Sequence, residues 1–106
     1  MNKILYCFYV PYPDLTSAKV AGKYLVENKL AACIQYYPVN AQFIWNKKLE
    51  ETDEIILIAK TIKSNNKALR KAIRKMHPYE IPCIAHWEVK VNKEYYNWVK
   101  ATINYE

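Results

Sequence analysis

The feature that most constrains the fold is the order in which short strand-like runs alternate with amphipathic helical stretches. Runs rich in β-branched and aromatic residues predict strands at 4–10, 31–37, about 42–48, 54–62 and 83–89. Apolar residues at helical spacing predict helices over 15–26, from Ser64 to Met76, and after Asn92. Apart from the short segment at 42–48, the order is β-α-β-β-α-β-α.

Prolines and acidic residues set the predicted ends of these elements. Pro11 and Pro38 are expected to end the first and second strands, because proline cannot donate a backbone hydrogen bond. The acidic run 50–54 is expected to form a solvated turn before the central strand. Prolines at 78 and 82 make the segment 77–82 a connection.

The first six elements form a split βαβ unit repeated, which packs two helices on one face of an antiparallel sheet. We therefore expect an α+β, ferredoxin-like βαββαβ fold with an additional C-terminal helix. One glycine and no Gly/Ser-rich linker among 106 residues indicate a single domain, 1–106. The sheet face without helices carries apolar side chains, so self-association is the simplest way to cover it.

A formal net charge of +6 directs attention to anionic partners. Seven of the sixteen basic residues lie between Lys60 and Lys75, and no acidic residue interrupts them. The helical cations lie opposite the apolar stripe of the second helix, so they are expected to form a solvated face. No nucleic-acid-binding motif or glycine-rich phosphate loop accompanies them, and we predict no nucleic-acid partner.

The cellular location is predicted from missing signals and from the cysteines. The chain has no apolar run of membrane-spanning length and no signal-peptide pattern, so no membrane association is expected. Three cysteines without a C-x-x-C pair fit neither a disulfide framework nor a zinc finger, and we expect reduced thiols in the cytoplasm. No set of nucleophile, base and orienting group is recognisable, which predicts a binding protein and not an enzyme.

Four segments carry a family resemblance: KLAACIQ (29–35), FIWNKKLEE (43–51), EIILIAKT (54–61) and HPYEIP (77–82). Their order and spacing resemble the CutA family of divalent-cation-tolerance proteins, and together they span most of the chain. The resemblance implies a ferredoxin-like protomer in a tight homotrimer, similar in design to PII signalling proteins, with clefts between subunits. It also implies tolerance of copper and other divalent cations through binding, with no obligatory cofactor.

Three positions depart from the pattern of that family. Lys47 stands where the family usually has glycine after Trp45, which leaves the turn conformation there open. Cys83 stands where the family usually has glutamate, so a soft thiol replaces a hard carboxylate. Val10 occupies a position where some bacterial members have a cysteine proposed as a copper ligand.

The candidate metal ligands are His77, Cys33 and Cys83, because imidazole and thiol groups suit copper and zinc. The strand order usual for this fold, 4-1-3-2, places the two cysteines on opposite edge strands about 14 Å apart. Only a subunit interface would unite them. Each residue also has a structural interpretation, since cysteines pack as small apolar groups and a histidine at a helix end complements the helix dipole.

The candidate ligand cleft consists of Trp45, Lys60, His77, Tyr79 and Glu80. An imidazole, a phenol and a carboxylate within four residues could grip a cation or a polar ligand. The alternatives are a packed turn at 77–82, a core tryptophan and a surface lysine. A second function also stays open: a PII-like signalling or interaction module that binds an anionic metabolite or a partner protein through Lys60 and the basic helix.

Overall fold

The computed structural model describes residues 3–104, so both ends of the predicted 1–106 domain lie outside the described residues. Its elements are β1 (Lys3–Tyr12), α1 (Leu15–Glu27), β2 (Cys33–Trp45), β3 (Lys48–Thr61), a 3₁₀ turn (Lys63–Asn65), α2 (Asn66–Met76), β4 (Ala85–Val91) and α3 (Lys93–Asn104). The strands form one antiparallel four-stranded sheet, and the helices pack against it. The predicted α+β, ferredoxin-like fold is confirmed.

The strand order in the sheet is β2-β3-β1-β4. This is the predicted order 4-1-3-2 viewed from the other edge, with β3 and β1 inside and β2 and β4 at the edges. The prediction that the last strand begins at Cys83 is wrong. The β1–β4 ladder ends at the pair between Tyr9 and Ala85, and Pro82 delays the strand until that point.

The predictions that Pro11 and Pro38 end strands are also wrong, because both prolines lie inside strands. Pro11 pairs with Ile56 of β3. Pro38 pairs with Ile55 of β3. Each proline has a neighbouring strand on one side only, since β2 is an edge strand and β4 pairs with β1 no further than Tyr9. A proline fits within a strand when its missing N–H faces away from a neighbour.

The acidic run 50–54 lies within β3 and does not form the predicted turn. One ladder joins all 13 residues of β2 to β3, so the predicted segments at 31–37 and 42–48 belong largely to one strand. The acidic side chains lie where the hairpin has left the core, and five of the residues from 48 to 53 are charged or polar and exposed. A strand whose two faces meet solvent tolerates such residues.

The chain reverses at Asn46 and Lys47, whose φ angles are 52° and 66°. Two consecutive residues with positive φ form the two-residue turn whose twist matches that of the flanking strands. Lys47 therefore keeps the turn conformation that glycine would adopt more easily.

The β2–β3 hairpin extends far beyond the rest of the sheet. β1 pairs only with residues 55–61 of β3, so residues 48–54 pair with β2 alone. We call residues 39–54 the outer hairpin. It contributes to an elongated molecule of 47 × 27 × 21 Å. Large apolar side chains at its end are 41% to 70% exposed: Phe43, Ile44, Trp45 and Leu49.

Helices α1 and α2 cover one face of the sheet, here the helix face. Cross-strand partners share a face, so Phe8 and Val10 of β1 point to the helices together with Ala59 and Leu57 of β3. The predicted helical stripes are confirmed in part: Leu25 of α1 and Leu69 and Ile73 of α2 are fully buried there, whereas Leu15 and Val26 of α1 are 43% and 42% exposed. Asp14 caps α1, since its Oδ1 accepts a hydrogen bond of 2.8 Å from the Ser17 N–H.

Helix α3 covers one end of the opposite face, here the second face. It buries Val99 and Ile103 against Leu5 of β1. Trp98, which was expected on the apolar stripe of this helix, is 50% exposed. Among residues 3–104, none of the helices combines the length and the apolar character that a membrane crossing requires.

Gly22 permits a close approach of α1 to the sheet. A Cβ at this position would collide with the Tyr36 hydroxyl and would lie 3.0 Å from Cγ2 of Ile34. We expect Gly22→Ala to lower the free energy of unfolding by about 1–3 kcal/mol, because overpacking outweighs the better helix propensity of alanine. Urea unfolding measures the difference.

Two further variants test whether the collision causes that loss. In a Tyr36→Phe background the cost of Gly22→Ala should shrink, because the hydroxyl that the new methyl group meets is gone. Lys23→Ala, on the exposed side of α1, should change stability by no more than about 0.5 kcal/mol. An unchanged or raised unfolding midpoint in Gly22→Ala would contradict the proposed close packing.

Candidate functional site

His77 attaches the connection between α2 and β4 to the end of β1. Its side chain is 8% exposed. Its Nε2 donates a hydrogen bond of 2.7 Å to the Pro11 carbonyl oxygen, and its Nδ1 accepts one of 3.1 Å from the Tyr79 N–H. A carbonyl can only accept and an amide N–H can only donate, so these partners select the neutral ring with its proton on Nε2.

The surroundings of His77 favour this neutral form. The ring of Tyr12 stacks on it with centroids 4.4 Å apart, and the ring of Tyr79 lies at 4.9 Å. Burial lowers the pKa of His77, and the positive charge of Arg74 acts in the same direction. The hydrogen bond to Pro11 and the charge of Glu54 oppose this shift without reversing it.

Tyr79 joins the connection to the base of the outer hairpin. Its hydroxyl donates a hydrogen bond of 2.6 Å to Oε2 of Glu54. Burial and this bond raise the pKa of Tyr79. Glu54 immediately precedes Ile55, which is the first residue of β3 that pairs with β1. The Glu54 carboxylate is therefore reachable from the connection.

Glu54 and Tyr12 are site residues that the sequence prediction missed. Glu54 was assigned both to the end of a solvated turn and to the start of the central strand, but not to a site. It stands where the acidic run meets the apolar run, and that boundary marks the point where β3 leaves the core. Tyr12 lay beyond the predicted end of its strand. It is fully buried, and burial raises the pKa of Tyr12 to about 12. Within residues 3–104 its hydroxyl has no hydrogen-bond partner.

A cavity of about 450 Å³ opens beside Glu54 at the base of the outer hairpin. Its polar lining comes from Asp14, Asn40, Asp53 and Glu54. Asn40 donates a hydrogen bond of 3.0 Å to Asp53, and Ser17 hydrogen bonds lower the pKa of Asp14. The cavity therefore presents three carboxylate side chains, in contrast to the net positive charge of the whole chain.

Of the five residues predicted for the ligand cleft, three share the connection: His77, Tyr79 and Glu80, the last of them exposed. Trp45 lies at the end of the outer hairpin opposite Lys48, six residues and about 20 Å along β3 from Glu54. Lys60 lies six residues in the other direction, again about 20 Å away. One protomer therefore does not bring Trp45 or Lys60 to the connection.

The three predicted metal ligands lie apart within one chain. Cys33 begins the edge strand β2, whereas Cys83 lies before the opposite edge strand β4. Among residues 3–104, no group of three His, Cys, Asp or Glu residues is arranged to hold a metal ion. Both ring nitrogens of His77 are already hydrogen-bonded to the backbone. A site shared across a subunit interface stays a prediction.

Cys83 and Glu54 both act on Tyr9 of the second face. The pKa of Tyr9 is raised by burial first, and then by Tyr37, Cys83 and Glu54. The thiol and the carboxylate are therefore both within electrostatic range of the Tyr9 hydroxyl. Cys83 is an exposed free cysteine, so its sulfur is open to a ligand.

The alternative function combined Lys60 and the basic side chains of α2 in one anion site. In the structure they lie on opposite faces of the sheet. The Lys60 Nζ lies over the ring of Tyr95 in α3, at 5.6 Å from its centroid. Helix α2 packs on the helix face through Leu69 and Ile73. One small anion would not contact both in the same protomer.

Together these features define a class of protein: a ferredoxin-like α+β protomer with a protruding hairpin and a histidine-held connection at the base of that hairpin. A profile of the family described as CutA1 divalent ion tolerance protein matches residues 6–102. The chain belongs to the CutA family.

Known relatives agree with this assignment over nearly the whole chain. The divalent-cation tolerance protein CutA of Thermococcus kodakarensis is 38% identical over 96 residues, which cover 90% of this chain and 92% of that protein. The structure of an Archaeoglobus fulgidus protein, described as periplasmic divalent cation tolerance protein CutA, superposes with a TM-score of 0.90 at 32% identity and covers 94% of this chain and 99% of that one. CutA1 of Pyrococcus horikoshii gives 0.88 at 31% identity, with coverages of 92% and 96%.

Acid is expected to weaken the fold through His77. The pKa of His77 in the folded protein lies below its unfolded value of about 6.5, so the unfolded chain binds more protons as the pH falls. The stabilisation that the neutral His77 ring gives to the fold is fully present above about pH 6.5 and is lost below that pH. Urea unfolding between about pH 7.5 and pH 5 should show this loss, and His77→Gln should reduce the pH dependence.

Glutamine suits this test because its amide can donate to Pro11 and accept from Tyr79 but does not titrate. His86→Gln, on the exposed edge strand β4, is the matched control and should keep the pH dependence of the parent. If His77→Gln and the parent lose stability equally as the pH falls, His77 is not the group that responds.

Proposed function

We propose that this protein is a homotrimeric, cytoplasmic binding protein that contributes to tolerance of divalent cations, holds its ligand where subunits meet, and catalyses no reaction. The outer hairpin is the observation that carries the proposal. Four large apolar side chains at its end are exposed, and no third strand covers residues 48–54. Exposed apolar surface of this kind favours association.

The open edges and the second face support the same assembly. Both β2 and β4 leave one edge unpaired within residues 3–104, and Tyr37 and Trp87 on the second face are 42% and 44% exposed. When the hairpin of one protomer covers a different surface of the next, the contact is heterologous, and such contacts form a ring when the rotation between protomers closes. A ring of three agrees with the trimer that the family resemblance implies.

For the cation we propose ligands from two protomers. Cys83 and Glu54 supply a thiol and a carboxylate from one protomer, with Glu80 close by in the connection. The opposite edges of the sheet meet when protomers associate edge to edge, so Cys33 of a neighbouring protomer is the second thiol. A donor set containing two thiols favours copper or zinc over magnesium or calcium.

In this arrangement His77 holds the connection in place and does not bind the cation, because both of its nitrogens bond to the backbone. Trp45 and Cys33 lie at opposite ends of β2, about 40 Å apart, so the hairpin of the third protomer supplies Trp45 to the cleft. The cytoplasmic location is supported by three free cysteines, one of them exposed, which suit a reducing compartment.

Equilibrium titration of the reduced protein with Zn(II) and with Cu(I) tests the cation site. We expect binding tighter than about 10 μM for at least one of these ions, and a loss of tenfold or more in both Cys83→Ser and Cys33→Ser. Glu54→Gln should weaken binding less, because one carboxylate contributes less than a thiolate to a soft ion.

Glu94→Gln, an exposed carboxylate at the start of α3, is the matched control and should bind as the parent does. The oligomeric state of each variant is measured in the same buffer, so that a lost site is distinguished from a lost assembly. Binding that is weaker than about 10 μM, or unchanged in both cysteine variants, rejects this ligand set.

A further inference from the structure

A row of three reactive side chains crosses the second face, away from His77. Lys60 of β3 is paired directly with Cys7 of β1 on one side and with Cys33 of β2 on the other. Residues directly opposite in antiparallel strands point to the same face, with Cβ atoms about 4.5–5.5 Å apart. The lysine amine is therefore flanked by a thiol on each side.

Tyr95 of α3 lies over this row and contacts both Lys60 and Cys33. The Lys60 Nζ is 5.6 Å from the centroid of its ring. Burial, the neighbouring Cys33 thiol and a hydrogen bond to that thiol raise the pKa of Tyr95. Tyr95 therefore neighbours both groups, and the direct cross-strand pairing of Cys33 with Lys60 places their side chains next to each other.

The two thiols of the row differ in access. Cys7 is 5% exposed, and burial raises the pKa of its thiol against the opposing effect of Lys60. Cys33 is partly exposed at the start of an edge strand, so a dissolved oxidant reaches it first. A disulfide between the two is excluded by distance, because strands two apart place their Cα atoms about 10 Å from each other.

We propose that Cys33 and Lys60 form an oxidative cross-linking site, in which a peroxide converts the neighbouring thiol and amine into a sulfenamide. The Cys33 sulfur attacks one oxygen of hydrogen peroxide, the O–O bond breaks, and sulfur is oxidised by two electrons to S–OH with release of water. The Lys60 ammonium releases one proton to solvent, and the resulting amine attacks this sulfur, so that the S–O bond breaks and an S–N bond forms as a second water leaves. One thiol, one amine and one peroxide thus give one sulfenamide and two waters.

The bond would change the second face in two ways. It covalently joins β2 to β3, and it removes the positive charge of Lys60. A thiol reductant reverses it by attacking the sulfur, which returns the amine and the thiol. The proposed cation site uses the same Cys33 sulfur, so the oxidation takes place in the cation-free protein, and the protein is treated with a chelator before the test below.

Peptide mass spectrometry of the peroxide-treated protein tests the proposal. We expect a peptide pair joined between Cys33 and Lys60, lighter than the sum of its parts by about 2 Da, that disappears after treatment with dithiothreitol. The pair should be absent from Cys33→Ser and from Lys60→Arg, and present in Cys7→Ser. The exposed Cys83 reports in each sample that oxidation has occurred.

The peptide map of the parent identifies the joined residues by itself, so the result does not require every variant to fold. Oxidation of Cys33 to sulfinic acid without any link to Lys60, in a sample whose Cys83 is oxidised, overturns the proposal. A link of undiminished yield in Lys60→Arg overturns it as well, because arginine cannot supply the amine.

Discussion

The unequal lengths of the central strands are the constraint on which the rest of the structure depends. β3 has 14 residues, but β1 pairs with only seven of them, from Ile55 to Thr61. Inside that limit, α1 and α2 cover one face of β3, α3 covers one end of the other face, and four of the seven residues are buried. Beyond it, a two-stranded ribbon continues with β2 alone, and such a ribbon is marginally stable in water without further packing. The need to cover the outer hairpin follows directly from this difference.

The same boundary determines where the candidate site forms. Because β1 ends opposite Ile55, the Glu54 carboxylate is uncovered, and Tyr79 of the connection reaches it. His77 fixes that connection by bonding to the backbone at Pro11, one residue before the end of β1. The imidazole therefore acts as a structural link, with both of its nitrogens occupied by backbone partners.

The architecture could be predicted from the sequence because the order of elements and their apolar periodicity are local properties. The prolines could not be placed correctly from the sequence. Pro11 and Pro38 fit within strands because each lies where its strand has no neighbour on one side, and that is a property of the assembled sheet. The acidic run was wrongly predicted to be a turn, because a run of polar residues is typical both of a loop and of a strand that is exposed on both faces. Glu54 was missed for the same reason. The hydrogen bonds that occupy both nitrogens of His77 could not be predicted either, because they involve backbone atoms of residues 66 and two positions away.

The central claim is that three copies of this chain cover the outer hairpin and the second face of one another. Sedimentation equilibrium of the reduced protein measures the assembly most directly. The account predicts a single species of three times the chain mass of 12.6 kDa that persists at micromolar concentration. A species with the mass of one chain would contradict it, because the exposed apolar end of the outer hairpin would then have no partner in solution.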